Sequence, residues 1–374
     1  MKGAIDMDYL DDLISEHGFS LQIKPVGSSC NIRCGYCYVK QFRKGRTSIM
    51  STAVLERAVS QCLENSPEPT FSWHGGEPTL AGVDFFQTAM DLIERYKKPK
   101  QPVRNMIQTN ATNISPEMAK LFYEYQFGVG VSLDGPEYVH GVHRTDVRKV
   151  NTHDSVMMGI KTLREAGLSP SVIATVTEKT LPYAKETFRF LVDQGFTSIK
   201  FSPVYDSVTD SFSVKSHDWF LYLKQVFLEW LEMENEEIHV RDLDEVMIWL
   251  ERKSLMVCSS NQSCLMWVSI DPKGNLYPCE YLRNKHSYGN IMTMGLSDII
   301  ETKAYKGFSD SFSTLPSKCK ACEFYSFCGN GCPATRTIKN KISSKGIYAY
   351  CQERCDLYGF IKTMFESELG ESLG

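Results

Sequence analysis

The cysteines of this sequence fall into two well-separated groups, and that distribution constrains the fold more than any other feature. Cys30, Cys34 and Cys37 lie near the start, nine of the thirteen fall between Cys258 and Cys355, and Cys62 stands alone. The first residues, Met1-Lys2-Gly3 followed by Asp6, Asp8, Asp11 and Asp12, lack the basic and apolar stretches of a secretory signal. No apolar run approaches the roughly 18 residues of a membrane span. A cytoplasmic protein with no membrane association is the expectation, and there clustered cysteines bind metal or do chemistry more often than they form disulfides. A net charge of −4 and a pI near 6.1 argue against a nucleic-acid partner. The one basic cluster, Lys40, Arg43, Lys44 and Arg46, reads as a solvated loop.

Between residues 20 and 205 a strand-then-helix alternation repeats six times. The expected strands are Leu21–Val26, Thr70–Trp73, Asn105–Gln108, Val129–Leu133, Val172–Val176 and Ile199–Val204. Ser115-Pro116 reads as a cap followed by an N1 proline; Gly167 and Gly195 read as helix stops. Such repeats predict an α/β fold, a parallel, barrel-like (β/α)6 sheet with its chemistry at the C-terminal strand ends. The unusual residues follow strands as that requires: Cys30, then His74-Gly75-Gly76-Glu77-Pro78, Thr109-Asn110 and Asp134-Gly135-Pro136. Two helices are expected around Trp219–Met233 and Leu243–Arg252, then a small cysteine-rich region and a closing helix from Leu357 to Leu369.

Cys30-x3-Cys34-x2-Cys37 offers three thiolates and no fourth ligand within the loop, which a structural zinc site would want. Three thiolates on a [4Fe–4S] cube leave one iron open to a ligand. This spacing after a first strand, with Tyr36 before the last cysteine, resembles the signature of the radical S-adenosylmethionine (SAM) superfamily. The resemblance implies a partial TIM-like barrel of the radical SAM type. It also implies SAM chelated at the open iron and cleaved by one electron, drawn from an external donor such as flavodoxin or ferredoxin, to a hydrogen-abstracting radical. It further implies SAM contacts from Tyr36, Gly75, Gly76, Glu77, Ser132, Arg144 and Tyr205, the two glycines letting backbone approach the SAM amino group.

The second set, Cys258, Cys264, Cys279, Cys319, Cys322, Cys328, Cys332 and Cys351, resembles the SPASM domain of radical SAM enzymes that modify peptides and proteins. Gly274 in Asp271-Pro-Lys-Gly274-Asn reads as a hairpin turn bringing Cys264 and Cys279 together. The family pattern assigns Cys258, Cys264, Cys279 and Cys332 to one auxiliary [4Fe–4S] cluster and Cys319, Cys322, Cys328 and Cys351 to another, giving three clusters in all. Cys351 and Cys355 both remain open as the last ligand. Cys62, on the apolar face of its helix, reads as a buried structural thiol. The implied domains are an extension over 1–19, the barrel over 20–235, a helical linker over 236–255, SPASM over 256–356 and a terminal helix over 357–374.

Over residues 20–365 the sequence is similar to the anaerobic sulfatase-maturing enzymes, through Trp73-His-Gly-Gly-Glu-Pro-Thr, Ile107-Gln-Thr-Asn, Leu276-Tyr-Pro-Cys and Tyr288-Gly-Asn-Ile. These oxidise a cysteine or serine of a protein substrate to formylglycine, which requires a base and an electron acceptor. The family has aspartate after the third auxiliary cysteine where this chain has Glu280, and glycine after Gln-Thr-Asn where it has Ala111. Glu280 is either the catalytic base, its carboxylate displaced by one methylene, or a surface carboxylate. His140 and His143 read equally as cavity lining or surface. The runner-up function is maturation of a ribosomal peptide by thioether, cyclophane or other side-chain cross-links. A non-catalytic electron carrier would have no use for the Gly-Gly-Glu-Pro motif.

Overall fold

The computed structural model describes residues 18–42, 48–204, 212–252, 263–283, 286–313, 316–336 and 346–372. Tyr205, Cys258, Arg43, Lys44, Arg46 and residues 1–17 of the expected extension lie outside the described residues. The chain forms two compact units: Met1–Ser132, Arg144–Pro170 and Cys264–Thr314 make the first, and Leu133–His143, Ser171–Ser263 and Leu315–Gly374 the second.

In the first unit β1 (Ser20–Ile23), β2 (Thr70–Trp73), β3 (Arg104–Thr109) and β4 (Gly128–Ser132) run parallel in sequence order. Helices α1 (Thr52–Asn65), α2 (Val83–Tyr96) and α3 (Pro116–Glu124) make the crossovers, and α4 (His153–Glu165) follows β4. The local signals act as expected. The Ser51 hydroxyl accepts from the Val54 N–H, the Ser115 hydroxyl accepts from Met118, and Pro116 occupies the first turn. The core behind the strands is aromatic: Phe71, Trp73, Phe86 and Phe122 are almost fully buried, and Phe86 meets Trp73 and Phe122 edge to face.

The cysteine-rich region adds strands to this same sheet. β8 (Trp267–Ile270) lies parallel to β1, with Leu21 opposite Val268, and β9 (Asn275–Tyr277) returns antiparallel to it. Gly274, at φ +83°, makes the expected turn between them, and β10 (Gly289–Asn290) pairs with β9. The order in this unit is therefore β10-β9-β8-β1-β2-β3-β4, which is open. Position 280 follows β9 and position 24 follows β1, and β8, paired with both strands, brings the two segments together.

The second unit contains the parallel strands β5 (Ser171–Val176), β6 (Ser198–Pro203) and β7 (His239–Val240) in that order. Helix α5 (Ala184–Asp193) joins β5 to β6, preceded by a 3-10 turn at Leu181–Tyr183. α6 (Ser216–Glu232) and α7 (Arg241–Arg252) match the two expected helices. The last helix, α9 (Cys351–Ser372), begins six residues before the expected Leu357, so Cys351 and Cys355 lie on its first turns; α8 (Lys303–Ser313) belongs to the first unit. α9 packs on α6, with Phe360 edge-on to Phe227 at 5.9 Å. Among the described residues no helix is long and apolar enough to cross a membrane.

Candidate active site

The loop after β1 presents Cys30, Cys34 and Cys37 half-exposed, each three or four residues from the next. Its backbone is tied down from outside: Arg33 N–H donates to the Thr145 carbonyl at 2.6 Å, and Ile32 bridges to Asp146. Nitrogen donors face the sulfurs. Asn110 Nδ2 stands 3.7 Å from Cys30 Sγ, and Arg144 Nη1 stands 3.9 Å from Cys34 Sγ, with its guanidinium over the Tyr36 ring at 5.5 Å. Such donors can hydrogen-bond sulfurs that ligate a metal. Cys62 is the opposite case: fully buried, its sulfur donating to the Phe19 carbonyl, and its thiol pushed up to about 12 by burial. It is the structural thiol the sequence suggested.

The Gly-Gly-Glu segment has a structural reason for its residues. Gly75 sits at φ +124°, and a Cβ there would meet the Gly27 carbonyl oxygen; one on Gly76 would overlap the Ser29 carbonyl oxygen. The missing side chains thus admit the backbone that leads into Cys30, to which Gly76 and Glu77 donate N–H bonds at Gly27 and Ser29. The Glu77 carboxylate turns inward and accepts from Thr79 N and Oγ1, Thr109 Oγ1 and Asn110 N. It locks the ends of β2 and β3 together behind the cysteine loop. Ser132 Oγ, at the end of β4, accepts from Gln108 Nε2 at 3.0 Å.

Glu280 is not a surface carboxylate. Its side chain is 3% exposed, in an ion pair with Lys24, itself 2% exposed. The Tyr277 hydroxyl donates to it at 3.2 Å, and Arg283 stands 3.5 Å away while also donating to Asp271 at 2.6 Å. Burial alone would raise the Glu280 carboxyl, but Lys24, then Arg283 and Tyr277, outweigh it and hold the group below its ordinary value. Burial in turn lowers Lys24, against the pull of Glu280. The turn carrying Glu280 packs on the cysteine loop: Tyr281 stacks on Tyr38 at 4.0 Å and 16°, and Arg283 lies 5.6 Å from the Phe42 ring.

Lys24 directly follows β1, within the expected strand Leu21–Val26, and carries no local sequence signal. His74 carries one only as part of the segment His74-Gly75-Gly76-Glu77-Pro78. His74 has its ring pKa lowered to about 4, by burial first and then by Lys24, with Glu280 opposing. Its Nδ1 accepts the Gly75 N–H at 2.9 Å, so the neutral ring carries its proton on Nε2. His140 and His143, in the second unit, are 0% and 5% exposed. His140 Nδ1 accepts from Asp134 N, and His143 Nε2 lies 3.0 Å from Thr177 Oγ1, so the surface reading fails for both.

The auxiliary cysteines divide between the units. In the first, Cys264 and Cys279 both lie close enough to Tyr288 to help burial raise its phenol. In the second, Cys319, Cys322, Cys328, Cys351 and Cys355 line one small cavity with Lys318, Tyr325, Asn330 and Tyr348. Cys332, expected in the other cluster, is not among its lining residues. The thiols repel one another's ionisation: Cys319 is pushed up to about 11, by burial first and then by Cys351, Cys328 and Cys322. Arg354 Nη1 lies 3.6 Å from Cys328 Sγ. This donor set fits a thiolate-held iron–sulfur cluster.

The comparisons with known proteins decide the family. Residues 25–191 match the model of the radical SAM superfamily, and residues 262–323 match SPASM, an iron–sulfur cluster-binding domain. The chain is a radical SAM enzyme with a SPASM domain. Its cofactors are accordingly iron–sulfur clusters and SAM. The radical SAM–SPASM enzyme is 29% identical over 330 residues to the cysteine-type anaerobic sulfatase-maturating enzyme of Clostridium novyi, covering 84% of this chain and 87% of that one. It is similar, with a TM-score of 0.84 and 26% identity, to the solved structure of native anSMEcpe with bound AdoMet and Cp18Cys peptide, covering 93% of this chain and 99% of that one. Streptococcus suis SuiB bound to precursor peptide SuiA is similar with a TM-score of 0.62 and 19% identity, covering 91% and 78%, a likeness of fold alone.

Proposed function

We propose that this enzyme oxidises a cysteine, or alternatively a serine, of a protein or peptide substrate to formylglycine in the cytoplasm. The observation that carries the reading is Glu280: an ionised, buried carboxylate next to Cys279, on a turn that stacks against the loop of Cys30, Cys34 and Cys37. When bound, SAM supplies the radical that removes a Cβ hydrogen, and the clusters supply and accept single electrons, the first from a flavodoxin- or ferredoxin-like donor.

The chain's own residues divide the remaining work. Cys30, Cys34 and Cys37 hold the first cluster, with Cys258, Cys264, Cys279 and Cys332, and Cys319, Cys322, Cys328 and either Cys351 or Cys355, holding the others. Arg144, beside Cys34, is suited to the SAM carboxylate, while Gly75, Gly76, Glu77, Tyr36, Ser132 and Tyr205 complete its surroundings. Glu280 takes the thiol or hydroxyl proton as the substrate is oxidised. Its side chain is one methylene longer than the family's aspartate, and the contacts to Lys24, Tyr277 and Arg283 fix where that longer arm ends. The similarity to a cysteine-type relative favours cysteine as the residue oxidised.

The test is anaerobic incubation of reconstituted enzyme with SAM, a reductant and synthetic sulfatase peptides carrying cysteine or serine, followed by mass spectrometry. Loss of sulfur from the cysteine with a hydrazine-trappable aldehyde supports formylglycine. An intramolecular cross-link, with no aldehyde, replaces it with the peptide-maturase reading.

A further inference from the structure

We propose that the cluster of the second unit has two interchangeable thiolate ligands, Cys355 holding the fourth iron whenever Cys351 does not. The proposal rests on the iron–sulfur reading of that cavity. A cubane has four irons to ligate, and five cysteines line the space. Cys319, Cys322 and Cys328 come from the two short helical turns Ser317–Lys320 and Tyr325–Cys328 and the link between them. The other two thiols are four residues apart on α9, which puts them one above the other on the same face.

Their geometry suits exchange. Cys355 Sγ lies 3.9 Å from Cys322 Sγ, and its spacing on α9 sets it beside Cys351 along the same cavity wall. The first turns of α9 are held in place by other groups. The Tyr350 hydroxyl donates to the Val214 carbonyl at 2.7 Å, Ser216 donates to Glu353, and the Arg354 guanidinium sits 4.3 Å from the Tyr348 ring. The helix therefore has no need of Cys355 as an anchor. A structural thiol in this protein looks like Cys62, fully buried with its sulfur on a backbone carbonyl. Cys355 is half-exposed and faces sulfur.

The exchange is redox-neutral. The iron–sulfur bond to Cys351 would break as one to Cys355 forms, and the proton leaving the Cys355 thiol would end on the departing Cys351 sulfur, its neighbour on the same helix face. No electron moves and no co-reactant is needed.

The experiment compares full-length, anaerobically reconstituted wild type with Cys351→Ala, Cys355→Ala and the double variant, by iron content and by electron paramagnetic resonance of the reduced protein. Wild type and both single variants should carry about twelve irons per chain, and the double variant about eight. The Cys351→Ala signal should shift while cluster number holds. A Cys351→Ala variant at about eight irons beside a Cys355→Ala variant at about twelve overturns the proposal, as does the reverse. Wild type at about eight overturns the cluster reading of the cavity instead. Should the double variant misfold, brief alkylation of wild-type holoenzyme decides: label shared between Cys351 and Cys355 supports exchange, and label confined to one of them refutes it.

Discussion

Lys24, the residue after β1, and Glu280, the residue after Cys279, form an ion pair buried to within 3% of full occlusion. Without Lys24, the largest of the groups that hold it down, the Glu280 carboxyl would rise under burial, with Arg283 and Tyr277 still opposing. A base works above its own pKa, so the depressed value keeps Glu280 competent through neutral pH and loses it only as pH falls through the acid range. Lys24→Met should therefore move the acid limb of product formation to higher pH, by an amount that Arg283 and Tyr277 limit. Lys24→Arg should bring that limb back toward wild type. A pH profile superimposable on wild type, measured between about pH 6 and 9, would remove Lys24 from the reaction. Breaking a buried ion pair can cost up to about 3–5 kcal/mol, less here because Arg283 and Tyr277 still meet the carboxylate, so thermal unfolding must be followed alongside.

Replacing the carboxylate itself separates radical formation from product formation. Glu280→Gln keeps the shape but cannot take a proton, so product should slow by roughly 10²- to 10⁴-fold while deoxyadenosine release continues. Glu280→Asp should retain more activity than Glu280→Gln. Equal product yields from Glu280→Gln and wild type, counted against deoxyadenosine by chromatography, would exclude Glu280 as the base.

Cys62 should be indifferent to the chemistry. Its sulfur fills a site with no exposure and donates to Phe19. Cys62→Ala removes that bond and leaves a small void, a loss of about 1–2 kcal/mol. Iron content and SAM cleavage should match wild type. Loss of about four irons in this variant would make the thiol a ligand.

Local pattern was enough to place the strands, because each is a short apolar or β-branched run closed by a turn residue. Val172–Val176 and Ile199–Val204, for example, lie within a residue of β5 and β6. The cysteine motifs were legible because ligand spacing is a local property. What the sequence could not yield is pairing across long separations. Lys24 and Glu280 are 256 positions apart, and they meet only because β8 adds to the edge of β1. Hence sequence alone suits Glu280 to the surface as readily as to the site, and nothing local distinguishes Lys24. Ala111 shows a subtler limit. It adopts φ +55°, where a glycine would be unstrained, yet its methyl is fully buried. Relief of about 1–2 kcal/mol on removing the methyl is offset by lost burial and added chain entropy, so either residue serves.

Gly76 tests whether the glycine motif acts through the loop or through the cofactor alone. Added to this backbone, a Cβ would overlap the Ser29 carbonyl oxygen, and neither partner is a flexible side-chain end. The strand-end loop must then retreat from the segment that leads into Cys30, breaking the Gly76 and Glu77 N–H bonds to Gly27 and Ser29. Gly76→Ala should therefore lose the first cluster, about four irons per chain, together with SAM cleavage, while the auxiliary clusters remain. Overpacking of this kind costs about 1–3 kcal/mol, which an otherwise intact fold can absorb. If the variant kept about twelve irons and lost only SAM affinity, the glycine would be serving the ligand directly, and its packing against Ser29 would be incidental.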